Sequence, residues 1–188
     1  VNMDKCLTCG ICEEKCPVKV PNEYDEGLTT RKAIHIPFSL AVPYKNLIDA
    51  TACLRLKKGG KVCGLCEKFC PHGAIEFDQK PQTEAFTVDT IIVATGYDVF
   101  NAAEKKVYGY NGSENVDTGL QMERLLAHEM EGEALREIGQ KVAFIQCVGS
   151  RDEQIGREYC SRVCCMYATK LAQLLKRSDP KKDVYIFY

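Results

Sequence analysis

The sequence predicts an α/β chain that carries an α+β insert, and three observations predict it. Cysteine occurs 12 times in 188 residues and falls into three groups of four: Cys6, Cys9, Cys12 and Cys16; Cys53, Cys63, Cys66 and Cys70; and Cys147, Cys160, Cys164 and Cys165. The first two groups share a gapless repeat, Cys9 to Pro17 against Cys63 to Pro71. Residues 142 to 188 alternate strand, helix and strand, the unit from which parallel sheets are built. The expected division is a cysteine-rich α+β module over residues 1–80 and an α/β domain over residues 81–188.

Composition excludes several classes. Lys and Arg number 25 against 26 Asp and Glu, a net charge of −1, which argues against binding nucleic acid or an anionic membrane through bulk charge. With 45% hydrophobic and 27% charged residues, the chain is neither disordered nor collagen-like. Its longest purely aliphatic stretch, Ile91 to Ala94, is far short of the roughly 20 residues a membrane span needs, so no direct membrane insertion is expected. No signal peptide precedes Cys6, the chain begins Val1-Asn2-Met3, and Asp183 to Tyr188 reads as a strand cut at its last residue. A fragment of something longer is therefore expected. A disulfide framework belongs to small secreted domains that lack a core, so reduced thiols holding metal are the better expectation.

In chain order, the segment between the first two cysteine groups is rich in turn formers and prolines (Pro17, Pro21, Pro37, Pro43) and holds a short helical candidate from Tyr44 to about Ala52. Ala74 to Phe77 and Phe86 to Val88 alternate like two strands of a hairpin, joined through Gln79-Lys80-Pro81-Gln82. Ile91 to Ala94 reads as a buried strand. Thr118 to Met130 reads as a helix, with Thr118 and Gln121 in capping-box spacing and Leu125, Leu126 and Met130 in its apolar stripe. Gly132 and Gly139 punctuate the segment after this helix. Val142 to Gln146 is a second buried strand, Tyr159 to Lys176 a helix with Leu171, Leu174 and Leu175 inside, and Val184 to Phe187 a third strand.

Cys6-x2-Cys9-x2-Cys12-x3-Cys16-Pro17 matches the bacterial ferredoxin run, in which three close thiolates wrap one corner of an iron–sulfur cube and the fourth reaches the other cluster. Ordinary tetrahedral zinc ribbons give such a run followed by Cys-Pro no role. The repeat implies a two-cluster ferredoxin-like module with a defect, since the counterpart of Cys6 falls at Gly60. Cys53 supplies the missing ligand, over a loop (Lys57, Lys58, Gly59, Gly60, Lys61) flexible and basic enough to fold back on an anionic cluster. With the exchange of fourth ligands, the expected sets are Cys6, Cys9, Cys12 and Cys70 on one [4Fe-4S] cluster, and Cys53, Cys63, Cys66 and Cys16 on the other. His35 and His72 are expected in packing or surface roles.

Cys147 ends a strand, and Cys160, Cys164 and Cys165 are expected in the first turns of the next helix, with Cys160 and Cys164 one turn apart. In a dinucleotide-binding β-α-β unit this crevice holds a glycine-rich loop and a pyrophosphate. Here Gly-x-Gly-x-x-Gly is missing, and a third cluster on Cys147, Cys160, Cys164 and Cys165 is inferred instead. Adjacent helical residues diverge by about 100°, so a redox-active Cys164-Cys165 pair or structural cysteines stay open beside it. Asp89 to Gly96 has the form of the apolar strand ending in Ala-Thr-Gly that many flavoproteins carry near the end of the FAD-binding half. It makes Thr95 and Gly96 a candidate FAD edge, against the alternative of any buried strand running into a glycine turn.

Taken together, the paired ferredoxin motif, Ile91-Ile92-Val93-Ala94-Thr95-Gly96-Tyr97-Asp98, and Phe144 to Asp152 followed by Tyr159 to Lys170 closely resemble the iron–sulfur A subunit of the heterodisulfide reductases over essentially the whole chain. The resemblance implies an oxidoreductase subunit built as a thioredoxin-reductase-like (Rossmann-type) flavoprotein, here partial, with an inserted two-cluster ferredoxin domain and a further cluster on the last four cysteines. It also implies FAD that splits electron pairs in flavin-based bifurcation within cytoplasmic complexes of anaerobes, methanogenesis among their metabolisms. The implied partners are other heterodisulfide reductase subunits, a hydrogenase or formate dehydrogenase, and ferredoxin. The FAD-gripping Gly-x-Gly-x-x-Gly of the family is missing, which leaves this chain an electron-transfer core. Related segments of quinone-interacting membrane-linked oxidoreductases are a close second reading. A scaffold whose last cysteines bind zinc or nothing, or a thiol-disulfide enzyme using Cys164-Cys165, are the competing classes.

Overall fold

The computed structural model describes residues 1–188 except Lys61 and Pro81 and divides into two compact units, Val1–Ile91 and Ile92–Tyr188. The basic loop before Cys63 and the turn after Gln79 each contain one of those two residues, so Lys61 and Pro81 in those readings lie outside the described residues.

The first unit is built from short elements, as its prolines and turn formers dictate. Helices α1 (Ile11–Glu14) and α3 (Leu65–Phe69) each carry one middle cysteine of the repeat and pack against one another. Between them β1 (Lys19–Pro21) pairs antiparallel with β2 (Thr30–Lys32), β3 (Ile34–His35) with β4 (Leu47–Ile48), and α2 (Leu54–Lys57) starts directly after Cys53. The buried centre consists of Cys12, Cys16, Ala33, Ile34, Ala52 and Ile75, with Val18, Val20 and Ile48 packed around it. Among the described residues of this unit, Ile34 and Ile75 are the only large aliphatic side chains that are buried.

Three expectations fail here. Tyr44 to Ala52 is not a helix: Leu47 and Ile48 pair with His35 and Ile34, and Asp49 closes a turn by accepting from the backbone N–H groups of Thr51 (2.8 Å) and Ala52 (3.2 Å). Such side-chain bonds compete directly with helical ones. Ala74 to Phe77 and Phe86 to Val88 form no strands. Ala74 and Ile75 are buried under the centre and the Ala74 carbonyl accepts from the Asn2 N–H at 2.7 Å, whereas Phe86 and Val88 lie exposed. Alternation makes a strand only where an edge is available to pair with it. Ile91 to Ala94 is likewise neither strand nor buried, with Ile92 87% exposed, because an apolar run of this kind needs neighbours on both edges and cover on both faces.

In the second unit, α4 (Gly119–Met130) begins with a complete capping box. The Thr118 hydroxyl accepts from the Gln121 N–H at 3.1 Å and the Gln121 amide oxygen from the Thr118 N–H at 2.9 Å. Leu125 and Leu126 are buried, but Met130 is 73% exposed, so the packed stripe ends one turn early. Strand β5 (Lys141–Ile145) pairs in parallel with β6 (Asp183–Phe187), Val142 opposite Val184, and α5 (Cys164–Ser178) makes the crossover. Leu171 and Leu175 are buried, on a helix that packs against α4 and β6. A Cβ at Gly119 would lie 2.6 Å from the Tyr167 ring, so glycine there allows the start of α4 to approach α5. This is one β-α-β unit with a half-exposed β5 rather than a buried one. The helix starts at Cys164 and not at Tyr159, because Arg162 takes a left-handed φ of 62° that no helix accommodates. Among the described residues, no helix is long and apolar enough to cross a membrane.

Leu175→Ala removes a fully buried side chain and is expected to destabilise the second unit by about 2–5 kcal/mol, whereas Met130→Ala stays within about 0.5 kcal/mol. Denaturant titration of the two variants checks both values.

Candidate metal centres

The short helices of the first unit place thiols rather than span distance. Gly10, with a φ of 78°, turns the chain into α1, so that Cys12 faces inward and Cys16 follows the helix end. Gly64 precedes α3 with an extended φ of −165°, and Cys66 on that helix is half-buried. Two cavities result. One is lined by Cys6, Cys9, Cys12 and Cys70, with Asn46 and His72 at its border. The other is lined by Cys16, Cys53, Cys63 and Cys66. The last cysteine of each run thus stands in the cavity of the other run, and Cys53 stands where the repeat leaves Gly60.

Several residues that sequence reasoning missed hold these thiols in place. Asp49 is the chief one. Its backbone carbonyl accepts from the Cys53 N–H at 2.9 Å, and its carboxylate takes the turn N–H groups on one oxygen and Arg31 Nη2 at 2.8 Å on the other. Hydrogen bonds from Thr51 and from Arg31 hold that carboxyl well below the usual range. Lys32 Nζ donates to the Cys16 carbonyl at 2.7 Å, and Lys45 Nζ to the Cys6 carbonyl. The Asp-x-Thr pattern at 49–51 is the one signal that could have marked Asp49 beforehand; nothing local marks the lysines. His35 is buried in β3 with its pKa lowered, chiefly by burial, and His72 is exposed.

Burial pushes the Cys12 and Cys66 thiols each up to about 11. They are neutral until a metal displaces their protons, so metal binding here releases protons. All-thiolate sets spread around a cavity suit an iron–sulfur cube. Ala74 N–H already donates to Cys70 Sγ at 3.3 Å, the kind of contact that tunes such a group.

The third group is held differently. Cys147 follows β5 in a left-handed conformation, φ 61°, and Arg151 in the same loop has φ 53°. A tight hairpin returns the chain: the Arg151 N–H donates to the Tyr159 carbonyl at 2.9 Å, Asp152 and Arg157 exchange backbone bonds, and Asp152 is ion-paired to Lys105. This carries Cys160 back toward Cys147. Cys160 is not on the helix, contrary to expectation; Cys164 and Cys165 open α5 while Cys160 sits in the preceding loop. The Cys165 thiol is pushed up by the charge of Cys164 first, then by burial, with smaller contributions from Cys147 and Cys160. Arg151 Nη1 reaches Cys147 Sγ at 3.8 Å, the Arg162 N–H reaches Cys160 Sγ at 3.4 Å, and the Ser161 hydroxyl reaches Cys164 Sγ at 3.7 Å. Phe100 fills the strand-tip crevice, its ring where a Cβ on Gly149 would fall at 2.1 Å. Of six non-glycine residues with positive φ among the described residues, Thr8, Cys147, Arg151 and Arg162 lie within cysteine motifs, and strain of this kind collects at functional sites.

Thr95 and Gly96 are exposed. They do not border the cavity of about 700 Å³ in this unit, which Phe100, Asp117, Arg136, Phe144 and Tyr167 help to line.

Residues 1–22 match the 4Fe-4S binding domain family. The resemblance to the A subunits of heterodisulfide reductases extends over the full chain. It is 50% identical over 194 aligned residues to the heterodisulfide reductase iron–sulfur A subunit of Methanocaldococcus jannaschii. It is 45% identical to the A subunit of the hydrogen-dependent heterodisulfide, ferredoxin reductase of Methanothermobacter thermautotrophicus, and 48% identical to that of the hydrogen- or formate-dependent enzyme of Methanococcus maripaludis. In each case the match takes in 100% of this chain and 28% of the relative, so the chain spans a little over a quarter of the proteins it matches.

Asp49→Ala removes the turn acceptor and one of the two carboxylates that pair with Arg31, which keeps Glu23 and the Lys32 carbonyl. The expected cost is about 1–3 kcal/mol to the first unit, read by denaturation, with Cys53 the thiol whose alkylation accelerates most.

Proposed function

We propose that this chain is an electron-relay segment of a heterodisulfide reductase-type A subunit, with [4Fe-4S] clusters on Cys6, Cys9, Cys12 and Cys70, on Cys53, Cys63, Cys66 and Cys16, and on Cys147, Cys160, Cys164 and Cys165. The observation that carries it is the pair of cavities, each walled by four cysteines drawn from both runs. The full-length similarity to iron–sulfur subunits supports it. When bound, an all-thiolate cube takes up and returns one electron at a time and offers no open coordination position to a substrate. The chain's own residues provide the rest. Cys12 and Cys16 hold their thiolates away from water, Ala74 offers an N–H to Cys70 Sγ, and Arg151 sets a positive charge beside Cys147.

The second unit we read as part of a thioredoxin-reductase-like, Rossmann-type domain, its β-α-β unit supporting that reading. In the whole protein FAD belongs to that domain, with Thr95 and Gly96 at its edge, and bifurcation belongs to the assembled cytoplasmic complex. The partners proposed are the disulfide-reducing subunits, a hydrogenase or formate dehydrogenase, and ferredoxin; the names of relatives that use hydrogen or formate support them.

Iron and acid-labile sulfide on anaerobically purified protein test the assignment, with about twelve irons per chain expected from three cubes. Cys147→Ser is expected to remove about four and leave the ferredoxin-type signals, while Cys53→Ser damages one ferredoxin-type cluster and spares the third. About eight irons in the unmutated protein would reduce the proposal to the first two sites. Removing the metal is expected to unfold the first unit, seen as loss of its amide protection from exchange, while α4, α5 and the parallel strand pair persist.

A further inference from the structure

Asn46 stands immediately before β4 and is 1% exposed. Its amide can donate twice and accept twice; among the described residues Nδ2 gives one N–H to Glu13 Oε2 at 3.4 Å, and Oδ1 has no partner. That leaves the second N–H of Nδ2 for an acceptor in the cavity, whereas Oδ1 can only accept and cannot serve a sulfur. Asn46 borders the cavity walled by Cys6, Cys9, Cys12 and Cys70. Among the described residues, no side-chain amide lines the other cavity. The polar side chain there, Arg55, is tied to Glu67 and lies 4.1 Å from the Phe77 ring centroid. The two sites therefore differ in the polar side chains that line them, although the cysteine pattern repeats.

Four thiolates outweigh the positive charge of an iron–sulfur core, and an added electron makes the whole more negative. An N–H directed at sulfur stabilises that reduced state and raises the reduction potential. We propose that Asn46 sets the potential of the amino-terminal cluster, donating its second amide N–H to a sulfur of the group held by Cys6, Cys9, Cys12 and Cys70. This rests on the cluster reading above. Asn46 is a positioning and tuning residue: it ligates nothing, and the electron enters and leaves the cluster with no bond made or broken at the amide.

The test is a potentiometric titration with electron paramagnetic resonance detection on the full polypeptide carrying this sequence, anaerobically purified, with dithionite as reductant. The amino-terminal signal is the one altered in Cys9→Ser. Asn46→Leu is expected to keep its iron and shift that midpoint to more negative potential, with the other midpoints fixed. Asn46→Asp shifts it further, and Asn46→Ser, which keeps a donor, shifts it least. Unchanged midpoints in cluster-replete Asn46→Leu and Asn46→Asp would overturn the proposal. Should Asn46→Leu lose iron, the Asp and Ser variants decide by the same midpoint. Absence of the amino-terminal signal from the unmutated protein would instead refute the cluster reading, and the tuning with it.

Discussion

Sulfur occupies the place that branched aliphatic side chains fill in an ordinary small domain. In the first unit Cys12 and Cys16 share the buried centre with alanines and two isoleucines, and Cys53, Cys66 and Cys70 pack against it. A unit of this size with so little aliphatic burial cannot offset the conformational entropy of its long irregular connections by hydrophobic contact alone. Everything else in the unit follows from bringing eight thiols to two places. The helices last only long enough to aim a cysteine, and the strand pairs are two or three residues long. Three charged side chains, Arg31, Lys32 and Lys45, fix backbone near Cys53, Cys16 and Cys6.

The second unit solves a related problem with conventional parts. A capped helix, a crossover helix and two parallel strands give Leu125, Leu126, Leu171 and Leu175 a common interior. That frame holds the end of β5 and the start of α5 side by side. The loop between them is then free to adopt conformations that cost energy at Cys147, Arg151 and Arg162. The Asp152–Lys105 ion pair and the Arg151–Tyr159 backbone bond hold that strained loop closed.

Legibility in the sequence follows the range of the determining interaction. The capping box of α4 and the β-α-β order are readable because spacing and periodicity within a dozen residues decide them. The cysteine groups are readable for the same reason. Helix α5 is legible but its start is not, since nothing in the letters Ser161-Arg162-Val163 announces a left-handed Arg162. Ile91 to Ala94 and Phe86 to Val88 mislead for the opposite reason: their letters describe strands, and a strand exists only with a neighbour. Asp49 and Asn46 escape because their roles depend on Arg31, Cys53 and Glu13, which are brought to them only by the folded chain.

The crossing of the two runs has a consequence for the order in which the unit is built. Joining Cys70 to the cavity of Cys6, Cys9 and Cys12 closes one large loop of chain, and joining Cys16 to the cavity of Cys53, Cys63 and Cys66 closes a second loop nested inside it. Closure entropy grows only with the logarithm of loop length. Nested loops share it, so whichever guest enters first leaves a shorter effective path for the other to close. On the proposed ligand assignment, filling one cavity shortens the path that the other must close, and losing either guest loosens the tether on the other.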